Sequence, residues 1–302
     1  VFYRREGMPG DKLRLMELGP VYLTWEGEYF LTPDALTLRF CREALPEGIP
    51  EERLCPVRAH LTPIKSLMQG RFVPGPAFTD MYETPRGRML ISNVGRHEPS
   101  LAVYMDGITR TGGIECHFDT SLACSDAPVN TVTVLNRLCI HRALLFRDVA
   151  VLHAAYIDVG GQAVLFTAPS GTGKSTQAEL WRQYAGAEII NGDRALLSLS
   201  GGTLYAHGYP VCGSSKISYF RSLPVRAVVI LEQGEDNVIS EPPESVKIRA
   251  LFSAVEVFRW DMQEIDAALN LARLAASAVP VVRYACRPER KAVEILAAHL
   301  GL

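Results

Sequence analysis

The apolar run Ala163-Val164-Leu165-Phe166-Thr167 passes without a linker into Ala168-Pro169-Ser170-Gly171-Thr172-Gly173-Lys174-Ser175-Thr176. This junction limits the fold more than any other stretch. A short apolar run that stops at a Pro/Gly-rich segment reads as a strand buried on both faces. Two glycines one residue apart let the chain turn through backbone conformations closed to most other residues. Residues 175–184 then continue as an expected helix. Strand, tight turn and helix in direct succession make an α/β unit, and the flanks repeat the alternation. Strands are expected at 149–157, 188–191, 195–198, 227–232 and 281–284, and helices at 245–258, 265–278 and 288–299. Together they predict an α/β domain with a mixed or partly parallel sheet.

Residues 1–125 have a different texture. Residues 21–25, 89–92 and 101–105 are strand-like, with Pro74-Gly75-Pro76, Asp106-Gly107 and Thr111-Gly112-Gly113 as turns. Nothing there has the spacing of a catalytic motif. The change comes at Asp126-Ala127-Pro128, a helix start with proline at an early helical position. Leu135, Leu138, Arg142 and Leu145 follow at helical spacing, and that helix is expected to end near Asp148. The domain reading is therefore β-rich over 1–125 and α/β over 126–302.

Bulk chemistry removes several classes. The chain has 302 residues, with 31 Lys and Arg against 33 Asp and Glu and a net charge of −2. No basic excess points to nucleic acid, and no polybasic run points to a membrane surface. The cysteines, Cys41, Cys55, Cys116, Cys124, Cys139, Cys212 and Cys286, are odd in number and widely spaced. That argues against a disulfide framework and for a reducing compartment. Cys116-His117 with Cys124 is the nearest approach to a metal cluster, yet it lacks a fourth ligand at a usual spacing, so buried thiols are the better reading. The first residues, Val1-Phe2-Tyr3-Arg4-Arg5-Glu6-Gly7, lack the apolar core of a secretory signal. No stretch has the apolar length of a membrane helix. A cytoplasmic location is the expectation.

The junction also carries chemistry. The stretch from Ala168 to Ser175 matches the phosphate-loop pattern G-x-x-x-x-G-K-[ST] everywhere but at Ala168. Such a loop turns backbone N–H groups inward around a phosphate, and the helix after it adds free N–H groups and partial positive charge. Ser170, Gly171, Thr172, Gly173, Lys174, Ser175 and Thr176 are thus expected to bind a nucleoside triphosphate, ATP with Mg²⁺. Lys174 would reach the β- and γ-phosphates, and Ser175 would ligate the metal. A phosphoryl-transfer site also needs a group to orient or deprotonate the nucleophile. Asp193, after the apolar run Ile189-Ile190, is the best placed carboxylate. Asn191-Gly192-Asp193 is equally good turn chemistry. His153, inside an apolar strand, reads on its own as a core residue.

The order of Leu152-His153-Ala154-Ala155, the phosphate loop and Ile190-Asn191-Gly192-Asp193 resembles the superfamily that joins HPr kinase/phosphorylase with ATP-dependent phosphoenolpyruvate carboxykinase. It is most similar to HPr-kinase-related proteins found near peptide-modification genes, including lasso-peptide precursor kinases. The segments from Gly208 to Ile217 and from Val279 to Pro288 resemble that subgroup too. The likeness covers 126–302 and implies an HPr kinase C-terminal, carboxykinase-like fold behind a variable first domain. It implies that His153, Lys174 and Asp193 are catalytic, with Asp193 as base toward a seryl hydroxyl, and that Ser175 and Asp193 hold the metal. It implies an acceptor hydroxyl on a peptide or small protein, and leaves a homo-oligomer open. Where the family often has two adjacent aspartates, this chain has Gly192 before Asp193, which leaves one carboxylate for the base and metal roles. Lys216 stands in the family's glycine-containing substrate loop, although a solvated loop lysine is its plain reading. A small-molecule kinase and a non-catalytic nucleotide-binding regulator remain as alternatives. A carboxykinase is disfavoured, since the further arginines it needs form no convincing constellation.

Overall fold

The structure is a computed structural model that describes residues 12–74, 79–94, 98–123, 129–213 and 215–302. The Val1 to Gly7 stretch, the Gly75-Pro76 turn, Cys124, the Asp126-Ala127-Pro128 helix start and Ser214 lie outside the described residues. The chain divides into two compact units. One comprises Val1–Glu17 and Val21–Ala143, the other Leu18–Pro20 and Leu144–Leu302.

The first unit is built on eight strands: β1 (Leu15–Leu18), β2 (Val21–Gly27), β3 (Leu54–Leu61), β4 (Arg71–Val73), β5 (Thr79–Thr84), β6 (Gly87–Ser92), β7 (Leu101–Tyr104) and β8 (Ile114–Phe118). They form one sheet in the order β1-β2-β3-β8-β7-β6-β5-β4. β3 lies parallel to both β2 and β8, and the run from β8 to β4 is antiparallel. The strand-like residues of the sequence fall in β2, β6 and β7. Short helices α1 (Ile64–Leu67), α2 (Thr120–Ala123), α3 (Thr131–Arg137) and α4 (Ile140–Leu145) lie between or after these strands in sequence, and the division between the units falls within α4. The single helix expected up to Asp148 is instead broken into α3 and α4. Cys139 between them has φ +56°, and Asp148 has φ +61°. A non-glycine residue in the left-handed region cannot continue a right-handed helix. The periodic leucines were legible, but not the interruption.

The second unit is the expected mixed α/β structure. Its strands are β9 (Val149–Val159), β10 (Gln162–Thr167), β11 (Glu188–Asn191), β12 (Arg194–Ser200), β13 (Thr203–His207), β14 (Ser222–Gln233), β15 (Val238–Ser240) and β16 (Val281–Cys286). Its helices are α5 (Lys174–Ala185), α6 (Glu244–Ala254), α7 (Met262–Ala278) and α8 (Arg290–Leu300). The strand order is β10-β9-β12-β13-β14-β16-β15, with β11 on β9 and a further pairing of β10 with β14. β9 and β14 are long enough to take part in two sets of pairings. β10–β14 and β14–β16 are the parallel pairs, as βα crossovers require.

Side chains alternate between two cores with the strand period of two. Ala154, Tyr156, Ala163 and Leu165 pack with Leu251 of α6 and Leu271 and Ala275 of α7. Ala155, Ile157, Val164 and Phe166 pack on the other side with Trp181 of α5 and Val293 and Leu296 of α8. This double coverage is why β9 and β10 read as continuous apolar runs. The expected helix at 245–258 ends early, at Ala254, because Val255 is extended and bridges Leu152 of β9. β13, β15 and the first residues of β14 were not anticipated.

His207 closes β13 with both ring nitrogens occupied: Nε2 lies 2.8 Å from Ser198 Oγ and Nδ1 2.8 Å from Ser222 Oγ. Burial holds its pKa down at about 4, below the ordinary 6.5. The unfolded chain therefore binds the proton first, and stability falls as pH drops from about 6.5 to about 4. The contribution is roughly 3 kcal/mol over that window. Denaturant midpoints measured across it should fall less steeply for His207→Gln than for the parent. Equal slopes would remove the assignment.

Candidate functional site

β9 organises the site. β10 and β11 both run antiparallel to β9, so their C-terminal ends lie at the same edge. The glycine-rich loop leaves that edge after Thr167, which pairs with Ala154. β11 and β12 lie end to end along β9, with Gly192 and Asp193 bending between them. Arg194, the first residue of β12, pairs with His153. Asp193 is thereby placed beside His153 by strand register rather than by a free turn. Its Oδ1 is 3.5 Å from His153 Nδ1, and its Oδ2 is 3.5 Å from Arg194 Nε.

The loop has the backbone its sequence calls for. Gly171 has φ +82° and Gly173 φ +119°, and no heavy atom lies within 4 Å of where a Cβ would stand on either. Both glycines thus serve conformation, and they leave open space over the loop that an anion can enter. Positive φ at non-glycine positions occurs, among the described residues, at Cys139, Asp148 and Lys216. Ala168 keeps negative φ, so alanine fits the first position of the pattern without strain. α5 begins at Lys174, and its first N–H groups have no acceptor within the helix.

One depression of about 320 Å³ is lined by His153, Ser170, Gly171, Gly173, Lys174, Ser175, Thr176, Gly192 and Asp193. The expected site residues therefore meet, with Thr172 on the neighbouring face of the loop beside Glu232 and Gln233. Ser175 and Thr176 are exposed to it, whereas Lys174 is buried. Lys174 Nζ donates to the carbonyls of Ala168 at 2.8 Å and Pro169 at 3.3 Å. Burial pulls the Lys174 pKa down and the Asp193 charge opposes this. His153 is also pulled below its ordinary value, first by burial and then by the Lys174 charge, with Asp193 opposing. A neutral His153 with a free lone pair is the form this environment favours at neutral pH.

Several contributors escaped sequence reasoning. Asn191 is fully buried. Its Oδ1 accepts from the backbone N–H of Asp193 at 2.9 Å and of Arg194 at 3.0 Å. Its Nδ2 donates to the carbonyls of Tyr209 at 2.9 Å and Val211 at 3.2 Å. This one amide shapes the Asp193 bend and ties it to the following loop. Glu256, whose N–H donates to Val151, lies 3.7 Å from Arg194. Its place depends on a long-range bridge with no local signal. Gly213 lies so near Asp193 that a Cβ would stand 3.0 Å from the carboxyl carbon. At Gly192 a Cβ would meet Ser215 Oγ at 2.7 Å, so Ser215 occupies the direction a first aspartate would take. A second cavity, about 410 Å³, shares His153 and Ser170 and extends to Arg249, Ser253 and Arg283. Lys216, with φ +52°, holds a strained loop conformation and does not line either space.

No family model and no curated protein matches this chain. Among solved structures, the chain is similar to the Hpr(Ser) kinase/phosphatase from Coxiella burnetii, at 12% identity and a TM-score of 0.29. That match spans 49% of this chain and 94% of the other. At that score the likeness carries no functional weight, and the site stands on its own geometry.

Replacing Asn191 by Ala strands two N–H groups and two carbonyls. The loss should be about 2–4 kcal/mol in a denaturant titration. Asn191→Asp keeps the acceptors but turns a carboxylate toward two carbonyls, and should cost at least as much. A small effect of both changes would show that the amide does not shape the bend.

Proposed function

We propose that this chain is a kinase that moves the γ-phosphoryl group of ATP to a hydroxyl, most simply a serine of a peptide or small protein. The observation that carries the reading is the meeting of a glycine-turned loop, Lys174, His153 and Asp193 in one depression. Each is suited to a separate part of phosphoryl transfer. The loop and the start of α5 offer backbone N–H groups to the phosphates. Lys174 needs only to leave two carbonyls to meet phosphate oxygens, which are stronger acceptors. Asp193, oriented by Asn191 and flanked by Arg194, accepts the proton of the attacking hydroxyl. His153, neutral and 3.5 Å from Asp193, orients that carboxylate and faces the phosphate.

The Ser175 hydroxyl and the Asp193 carboxylate are the oxygen donors that suit Mg²⁺, whose charge would offset that of the phosphates. With Gly192 in place of a second carboxylate, both roles fall to Asp193. The chemistry left to the protein is mostly positioning and fixed charge.

A second reading has its own support. The half-open cavity reaching Arg249 and Arg283 is of ligand size. A small anionic molecule bearing a hydroxyl would suit it better than a peptide backbone.

The test is transfer from γ-labelled ATP to serine peptides and, in parallel, to small hydroxy acids, with the added phosphate located by mass spectrometry. Asp193→Asn should lower transfer by about 10²–10⁴-fold while nucleotide binding persists. Lys174→Ala should weaken nucleotide binding itself. Label on the small molecules alone would establish the second reading. Tight nucleotide binding with no turnover toward any hydroxyl would replace both with a nucleotide-binding regulator.

A further inference from the structure

We propose that the first unit carries a divalent-cation site made by His60, Glu115 and His117, suited to a first-row ion of the zinc class. The sheet itself builds it. Glu115 and His117 are two apart on β8, so their side chains share a face. β3 runs parallel to β8, and His60 pairs directly with His117 in the ladder. The two imidazoles stack with centroids 4.8 Å apart. The ligand atoms of all three residues lie within 4.8 Å of one another. A tetrahedral zinc ion holds its ligands about 3.3 Å apart, which these side chains reach by small rotations.

The second observation comes from His117 alone. Its side chain is 9% exposed. Its Nδ1 lies 2.9 Å from the Thr62 hydroxyl. Its Nε2 is buried with no hydrogen-bond partner, and Glu115 Oε1 lies 3.4 Å away. A buried ring nitrogen without a hydrogen bond is costly unless something else engages it. With Nδ1–H donated to Thr62, the Nε2 lone pair points into the cluster, the arrangement by which a second contact fixes a ligating histidine.

Arg86 is the group that competes. Its Nη2 lies 2.6 Å from Glu115 Oε1, and it stacks over the Tyr104 ring at 4.5 Å. One carboxylate oxygen remains for a metal, and Arg86 then acts as the contact that orients a ligating carboxylate. Glu115 is one-third exposed, and His60 is half-buried, so an ion has a path in. Cys116, by contrast, lies between them in sequence but on the other face, buried with its thiol 3.6 Å from the Arg58 carbonyl. Two imidazoles and one carboxylate satisfy zinc, cobalt or iron(II) better than magnesium or calcium, and leave a position for water.

Titration of the full chain with Zn²⁺ and, separately, Co²⁺ tests this. The chain should bind one equivalent, with Co²⁺ showing ligand-field bands of four- or five-coordination and no sulfur charge transfer. Zn²⁺ should also raise the thermal midpoint. His60→Ala and Glu115→Gln change half-buried side chains at the solvent-facing side of the cluster, and circular dichroism verifies that the fold is kept. Each should weaken binding by more than about 100-fold, beyond the effect of losing an outer contact. His117→Asn should do the same, and Glu294→Gln, at an exposed pair with Arg290, should change nothing. Absence of a stoichiometric ion, or equal affinity in His60→Ala and the parent, would overturn the proposal.

Discussion

The ladder between β9 and its two antiparallel neighbours is the constraint on which the site depends. Thr167 opposite Ala154 fixes where the glycine-rich loop departs, and Arg194 opposite His153 fixes where Asp193 stands. Strand pairing has a period of two, so a slip of one residue would turn His153 into the apolar core and a core residue toward the loop. The apolar packing on both faces of β9, against α6 and α7 on one side and α5 and α8 on the other, makes such a slip prohibitive. The geometry of the candidate site is inherited from core packing.

Charge then sets the chemistry that this geometry can perform. Four cations, Lys174, Arg194, Arg249 and Arg283, line or flank the two spaces that share His153 and Ser170, while Asp193 is the carboxylate that lines the first of them. Burial weakens the protonated states of both Lys174 and His153, and Asp193 counteracts it in each. Polyanionic phosphate would act in the same direction as Asp193. Such a balance favours negative charge beside Lys174 and His153.

What the sequence disclosed follows from the range of the forces involved. Strand, loop and α5 were legible because local patterns define them: an apolar run, paired glycines and a helical face. Ala168 was ambiguous until its backbone showed negative φ. Asp193 was balanced between turn and catalyst, and only the pairing of β12 with β9 decided its surroundings. Asn191, Glu256, Arg249 and Arg283 depend on long-range contacts that leave no local signature. The break at Cys139 was hidden because leucine spacing reports a buried face and not a backbone angle. His60 and His117 were unconnected in sequence, and a parallel ladder between distant strands joined them.

The most direct measurement is a crystal structure of the protein with Mg²⁺ and a non-hydrolysable ATP analogue. The account predicts the β-phosphate against the backbone N–H groups of 171–175, Lys174 Nζ moved from the Ala168 and Pro169 carbonyls to phosphate oxygens, and the γ-phosphate facing Asp193 and His153. Nucleotide phosphates bound away from the loop, or Lys174 still held by the two carbonyls with nucleotide present, would contradict it.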